Sequence, residues 1–175
     1  MKKIFLTIAL TFISITSIIQ ADETAPANFM LTTVNDKNLT ITETEKGLDF
    51  KEYKGKAVLL ALFGHRCPPC IKEIPEFIEL TNNHKDDLAI VALEAQLYPS
   101  DKVKEFKEEH KMNYDVIAGV NYGDFINYIV HRAGYEKGFP LPLLISIDKE
   151  GEVQGVQAGK ISQYELELLV KDLNE

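Results

Sequence analysis

The sequence has no tryptophan and only two cysteines. So few cysteines exclude a small fold held by a disulfide framework. Beyond Ala21 there is no apolar stretch of the roughly 20 residues that a membrane-spanning helix needs. Basic residues are in short supply. Lys and Arg number 19 against 27 Asp and Glu, a net charge of −8. No positive field would draw nucleic acid or an anionic membrane surface, so neither is expected as a partner, and the acidity reads as solubility. Internal repeats and low-complexity tracts are missing, which excludes solenoids and arrays. No cysteine stands near residue 21, so a bacterial lipid anchor is not available there.

What is present begins with an export signal. Lys2 and Lys3 form a charged start, Ile4 to Ile19 is apolar with interspersed Thr and Ser, and Ala21 is a small residue before Asp22 and Glu23. Residues 1–21 are expected to be a signal peptide that delivers the protein to the periplasm. Retained instead as an anchor, the same segment would tie it to the membrane. Residues 22–28, with Pro26, read as a short tether. Residues 29–175 read as one domain, long enough to bury a real core.

Along that domain the apolar pattern alternates between strand and helix periods. Met30 to Val34 and Leu39 to Thr42 flank the turn-rich Asn35-Asp36-Lys37-Asn38 and predict a hairpin. Glu43 to Tyr53 is polar and carries no clear period. Val58 to Phe63 is continuously apolar at strand length, the pattern of a central strand buried on both faces. Leu88 to Leu93 predicts a second buried strand. Ser100 to Lys111 predicts a surface helix capped by Ser100 and anchored by Val103 and Phe106. Tyr122 to Arg132 predicts another helix. Leu143 to Ile147 and Val153 to Gln157, around Asp148-Lys149-Glu150-Gly151, predict a hairpin. A last helix starts at Ser162 with Glu165 completing a capping box, and Leu166, Leu168, Leu169 and Leu173 are expected to face the sheet. This order predicts an α/β fold with a central mixed β-sheet flanked by helices.

The two cysteines form the run Cys67-Pro68-Pro69-Cys70. A disulfide this short closes a very small loop and constrains the unfolded chain little, so the pair is better explained by thiol chemistry than by stability. Cys67 falls where a strand gives way to a helix. Free N–H groups and the helix dipole favour an anion there, and the thiolate is the reactive form. Arg66 adds a neighbouring positive charge that lowers the thiol pKa further, whereas Pro68 and Pro69 remove two N–H donors and oppose it. Cys67 is therefore the expected nucleophile and Cys70, one turn further in, the resolving thiol. On a helical wheel Ile74, Phe77, Ile78 and Leu80 form an apolar arc that also contains Cys70 and Glu73. Two readings of Glu73 stay open on the wheel. It is either buried with a raised pKa and able to exchange protons with a thiol, or it reaches solvent at the edge of the arc.

The stretch Cys67-Pro68-Pro69-Cys70-Ile71-Lys72-Glu73-Ile74-Pro75 resembles the C-P-P-C-x-x-E-x-P run of the TlpA/ResA-like periplasmic thioredoxins. Tyr53-Lys54-Gly55-Lys56 is similar to the Y-K-G-K that precedes their central strand, and Leu141-Pro142 followed by a strand and Asp148-Lys149-Glu150-Gly151 is similar to their cis-proline strand and hairpin. A bare CxxC is weak evidence; this ordered set spans nearly the whole of residues 29–175 and is specific. The resemblance implies a thioredoxin-like fold with an N-terminal β-hairpin extension and a redox disulfide between Cys67 and Cys70. It implies that Glu73 tunes the thiols, that Pro142 is cis and faces the pair with Leu141, and that no cofactor is needed. Pro140 competes for that role, but Pro142 stands six positions before Asp148, as in the family. The sequence departs from the family where a Trp normally precedes the first cysteine. Here that position is Arg66, after His65.

The resemblance implies a thiol–disulfide oxidoreductase that reduces disulfides in exported proteins, apocytochrome c among them, and is recharged by a membrane or periplasmic redox partner. Within thiol chemistry the alternatives are an oxidant of substrate thiols and a disulfide isomerase, although isomerases of this fold usually carry a dimerisation domain that is not visible here. The rival from another class is copper or zinc binding by His65, Cys67 and Cys70. It lacks a fourth ligand, since His84, His110 and His131 are scattered and no second CxxC exists. Haem attachment is excluded because Ile71, not His, follows Cys70.

Overall fold

The computed structural model describes residues 26–175. The expected signal peptide and residues 22–25 of the expected tether lie outside the described residues. The first strand, β1 (Asn28–Thr32), turns through Asp36, which sits at φ 63°, into β2 (Asn38–Glu43), and the two pair antiparallel. A third strand, β3 (Leu48–Phe50), adds to β2 and is followed by a turn of 3₁₀ helix at Lys51–Tyr53. The polar stretch that carries no clear period thus completes a three-stranded sheet around the predicted hairpin. Leu48 and Phe50 point inward and Asp49 outward, a pattern too short to stand out in the sequence.

The main sheet is built on β4 (Ala57–Phe63), every residue of which is buried. β4 runs parallel to β5 (Leu88–Glu94), and β5 parallel to β6 (Asp115–Ala118). On its other side β4 pairs antiparallel with β7 (Leu143–Ile147), which turns back into the edge strand β8 (Val153–Ala158). The order is β6-β5-β4-β7-β8, a mixed five-stranded sheet. The sequence pattern does not reveal β6, four residues behind a charged helix.

Alternation along β4 sends its side chains into two cores. Ala57, Leu59, Ala61 and Phe63 face one side, where they meet helix α1 (Pro68–Asn83), Val103 of α2 (Ser100–Glu109) and α4 (Gln163–Leu173). Val58, Leu60 and Leu62 face the other, against α3 (Gly123–Arg132) and the small sheet. Each fully buried leucine contributes about 2 kcal/mol. The small sheet docks on the β7–β8 turn through glycine. Leu48 N donates to Gly151 O at 2.9 Å, and a Cβ on Gly47 would lie 2.3 Å from that oxygen. Asp148 holds the turn by accepting from the amides of Glu150 and Glu152.

Two local expectations are corrected. Ser100 is the first residue of α2 rather than its cap; the cap position is Pro99, and Ser100 Oγ accepts from Asn121 instead. Leu168 on α4 is exposed, since Leu166, Val170 and Leu173 already fill the buried stripe. The Ser162–Glu165 capping box forms as expected, with the Ser162 side chain accepting from the Glu165 amide and Glu165 accepting from the Ser162 amide.

Candidate active site

The parallel strands β4 and β5 deliver their carboxyl ends to one side of the sheet, where sites in α/β folds collect. Cys67 follows β4 there as the N-cap of α1, in an extended conformation, with its amide donating to Gly64 O at 3.1 Å. Cys67 and Cys70 are joined by a disulfide with an S–S distance of 2.06 Å. Both residues are mostly covered, at 7% and 3% exposure, while Pro68 and Pro69 between them are exposed. The two prolines bring no N–H to the first turn, and Ile71 N donates to Cys67 O. The Cys70 amide therefore remains as the first-turn donor available to a sulfur anion at Cys67.

Glu73 is 3% exposed, which decides between the two wheel readings in favour of burial. Its Oε1 accepts a 2.9 Å hydrogen bond from Ile161 N, just ahead of α4. Burial pushes its carboxyl up to about 7, helped by the nearby Glu76, while the Ile161 amide and Lys160 pull the other way. Lys160 is held by a 2.6 Å ion pair to Glu76. Cys70, Glu73, Tyr114 and Pro142 line one small cavity, with about 10 Å³ open to the centre of a water molecule. That is room for a single water. Burial and the Glu73 charge together raise the Tyr114 phenol, so it stays neutral. A neutral phenol, a carboxyl poised near neutrality and the inner sulfur thus share one small, largely covered space.

Pro142 is buried and the Leu141–Pro142 bond is cis. Leu141 is half-buried beside it, and Pro142 O accepts from Gly159 N at 2.8 Å. Pro140, the competitor, is exposed. Arg66 is exposed, and its amide donates to Gln96 Oε1 at 2.9 Å.

His65 is engaged by Glu94 and Tyr98. Its Nδ1 lies 2.9 Å from Glu94 Oε1 and its ring stacks on Tyr98 at 3.8 Å. Among the described residues, no group of three His, Cys, Asp or Glu side chains is placed to hold a metal ion.

Glu94 is a site residue that the sequence reading misses. It is 1% exposed at the end of β5 and accepts from the amides of Gln96 and Tyr98 as well as from His65. Its signal is a charge closing an otherwise apolar strand. Only the fold reveals that this charge ties the loop after β5 to the loop carrying Cys67. Lys160, Glu76 and Ile161 escape for a similar reason, because Lys160 and Ile161 reach the Glu73 helix across a gap of more than 80 residues.

A family model described as the AhpC/TSA family matches residues 23–156. The thiol-disulfide oxidoreductase ResA of Bacillus thuringiensis subsp. konkukian is 31% identical over 138 residues, which are 78% of this chain and 75% of that protein. Among solved structures, a thioredoxin-family thiol:disulfide interchange protein from Chlorobium tepidum superposes with a TM-score of 0.66 at 23% identity, covering 86% of this chain and 97% of that one. StoA from Bacillus subtilis does so with a TM-score of 0.62 at 18% identity, over 83% and 97%. At these identities the two superpositions establish the thioredoxin-like fold alone.

Proposed function

The chain belongs to the AhpC/TSA family and is a thiol–disulfide oxidoreductase of thioredoxin-like fold; from that premise we propose that it works outside the cytoplasm and reduces disulfides in exported proteins. The observation that carries this reading is the cavity that Glu73 and Pro142 share with Cys70, the disulfide partner of Cys67.

In the reduced protein, the Cys67 thiolate attacks one sulfur of a substrate disulfide. A mixed disulfide forms, and the other substrate sulfur leaves as a thiolate that takes a proton from solvent. The Cys70 thiol then gives its proton to the Glu73 carboxylate and attacks the Cys67 sulfur. The second substrate thiolate is released, two electrons have passed to the substrate, and Cys67–Cys70 is a disulfide. Glu73 suits this step because a base must hold the proton and then lose it near neutral pH. Leu141-Pro142 offers backbone beside the pair against which the substrate segment lies extended. A second dithiol protein, in the membrane or periplasm, returns the pair to the reduced state. Apocytochrome c, whose two haem-binding cysteines must be reduced before attachment, is the substrate class favoured by the resemblance to ResA. The segment 1–21 is the export signal that brings the protein there.

Trapping tests the mechanism and the direction together. A Cys70→Ser protein in the periplasm is expected to accumulate mixed disulfides through Cys67, whose partners name the substrates, and the wild-type pair is expected to be mostly reduced in cells. Retention of insulin reduction by Cys67→Ser would overturn the assignment of the nucleophile. A pair found oxidised in cells would reverse the direction.

A further inference from the structure

Leu97 is an apolar side chain held in solvent on unfavourable backbone. It is 58% exposed and sits at φ 60°, a region that a branched residue without special support avoids. Nothing in the core requires it there. The support comes from Glu94, whose buried carboxylate accepts from Gln96 N at 3.1 Å and from Tyr98 N at 2.8 Å, the amides on either side of Leu97. Tyr98 is pinned further by its stack on His65, and Gln96 by accepting from the Arg66 amide next to Cys67. Strain over-determined by its surroundings is a mark of function.

The position of this loop gives it a use. β4, which carries Cys67, has β5 on one side and β7 on the other. Leu141-Pro142 enters β7 beside the carboxyl end of β4, since Leu62 pairs with Leu143. The Leu97 loop leaves β5 at the same end, since Phe63 pairs with Glu94. A polypeptide segment lying on Leu141-Pro142 with its cysteine at Cys67 runs towards the β5 side, where the Leu97 loop lies, if it continues across the site.

We propose that Leu97 is a specificity-determining contact, which recognises an apolar side chain flanking the reactive cysteine of a protein substrate. This rests on the reductase reading above. The occupant is an extended polypeptide; a small disulfide without flanking residues makes no such contact.

The test compares two synthetic peptides, each with one internal disulfide, identical except that the cysteines are flanked by Leu in one and by Ser in the other. Second-order rates of reduction by the reduced protein are measured for wild type, Leu97→Asn and Leu97→Met. Asn tolerates positive φ and keeps the loop while removing the apolar group; Met restores the apolar group. The wild type is expected to prefer the Leu-flanked peptide by about fivefold or more, as one apolar contact allows. Leu97→Asn is expected to bring that preference below about twofold and Leu97→Met to retain it. An undiminished preference in Leu97→Asn, or no preference in the wild type, overturns the proposal. Wild-type protein that reduces neither peptide would instead sink the reductase reading on which it rests.

Discussion

Replacing Glu73 by Gln removes a carboxyl whose pKa rises from 4.5 in the unfolded chain to about 7 in the folded one. A carboxyl raised in the folded state is tolerated when protonated and disfavoured when charged. Its contribution to stability is therefore highest below the unfolded pKa, falls as pH rises between the two values, and levels off above the folded one. With these two values, folding loses about 2–3 kcal/mol between pH 5 and pH 8 through this group alone, because a tenfold change in a protonation equilibrium is worth about 1.4 kcal/mol. Gln cannot titrate, and its amide oxygen can still accept from Ile161 N. The oxidised proteins should be unfolded in urea at several pH values, with Cys67–Cys70 intact so that no thiol titrates. Groups that do not interact with Glu73 cancel in the difference between the two proteins. Relative to wild type, Glu73→Gln should gain about 2–3 kcal/mol on going from pH 5 to pH 8, whatever the constant offset from the new amide. A difference that stays flat across this range would refute the argument that burial holds the carboxyl near neutrality, and with it the assignment of Glu73 as proton acceptor for Cys70.

Three further outcomes follow from the same geometry. Glu94→Gln turns one buried acceptor into a donor facing an amide, so it should lower the urea-derived stability by about 1–3 kcal/mol. Arg66→Trp should raise the pKa of the Cys67 thiol, measured by thiolate absorbance against pH, because it removes the neighbouring cation; equal values in the two proteins would show that the exposed guanidinium is screened from the sulfur. Ser162→Ala removes the side-chain half of the α4 capping box and should cost about 1 kcal/mol in thermal or urea unfolding.

Much of the fold is legible in the sequence because its strongest elements are one-dimensional signals. The apolar run of β4 needs no partner to identify it, and Ser162 with Glu165, or Asp148 with Gly151, act on backbone within four residues of themselves. What escapes are elements too short to show a period. β3 and β6 are strands only because β2 and β5 lie beside them and complete their hydrogen bonds. Ser100 misleads because its residue type suits a cap, yet the helix begins one position earlier than that role requires and Pro99 takes the cap position.

The site divides in the same way. The sequence by itself determined the chemistry: two thiols at a strand-to-helix junction, a carboxyl within the apolar arc of that helix, and a proline ahead of a hairpin. These are set by local spacing and by the helical period. Only the tertiary structure decided the environment of those groups. Burial of Glu73 depends on Ile161 and the loop before α4, the small cavity depends on Tyr114 and Pro142, and the Leu97 loop depends on Glu94 reaching across to His65. Desolvation and hydrogen bonding between residues far apart in the chain have no signature in local pattern, because the fold alone brings those partners together.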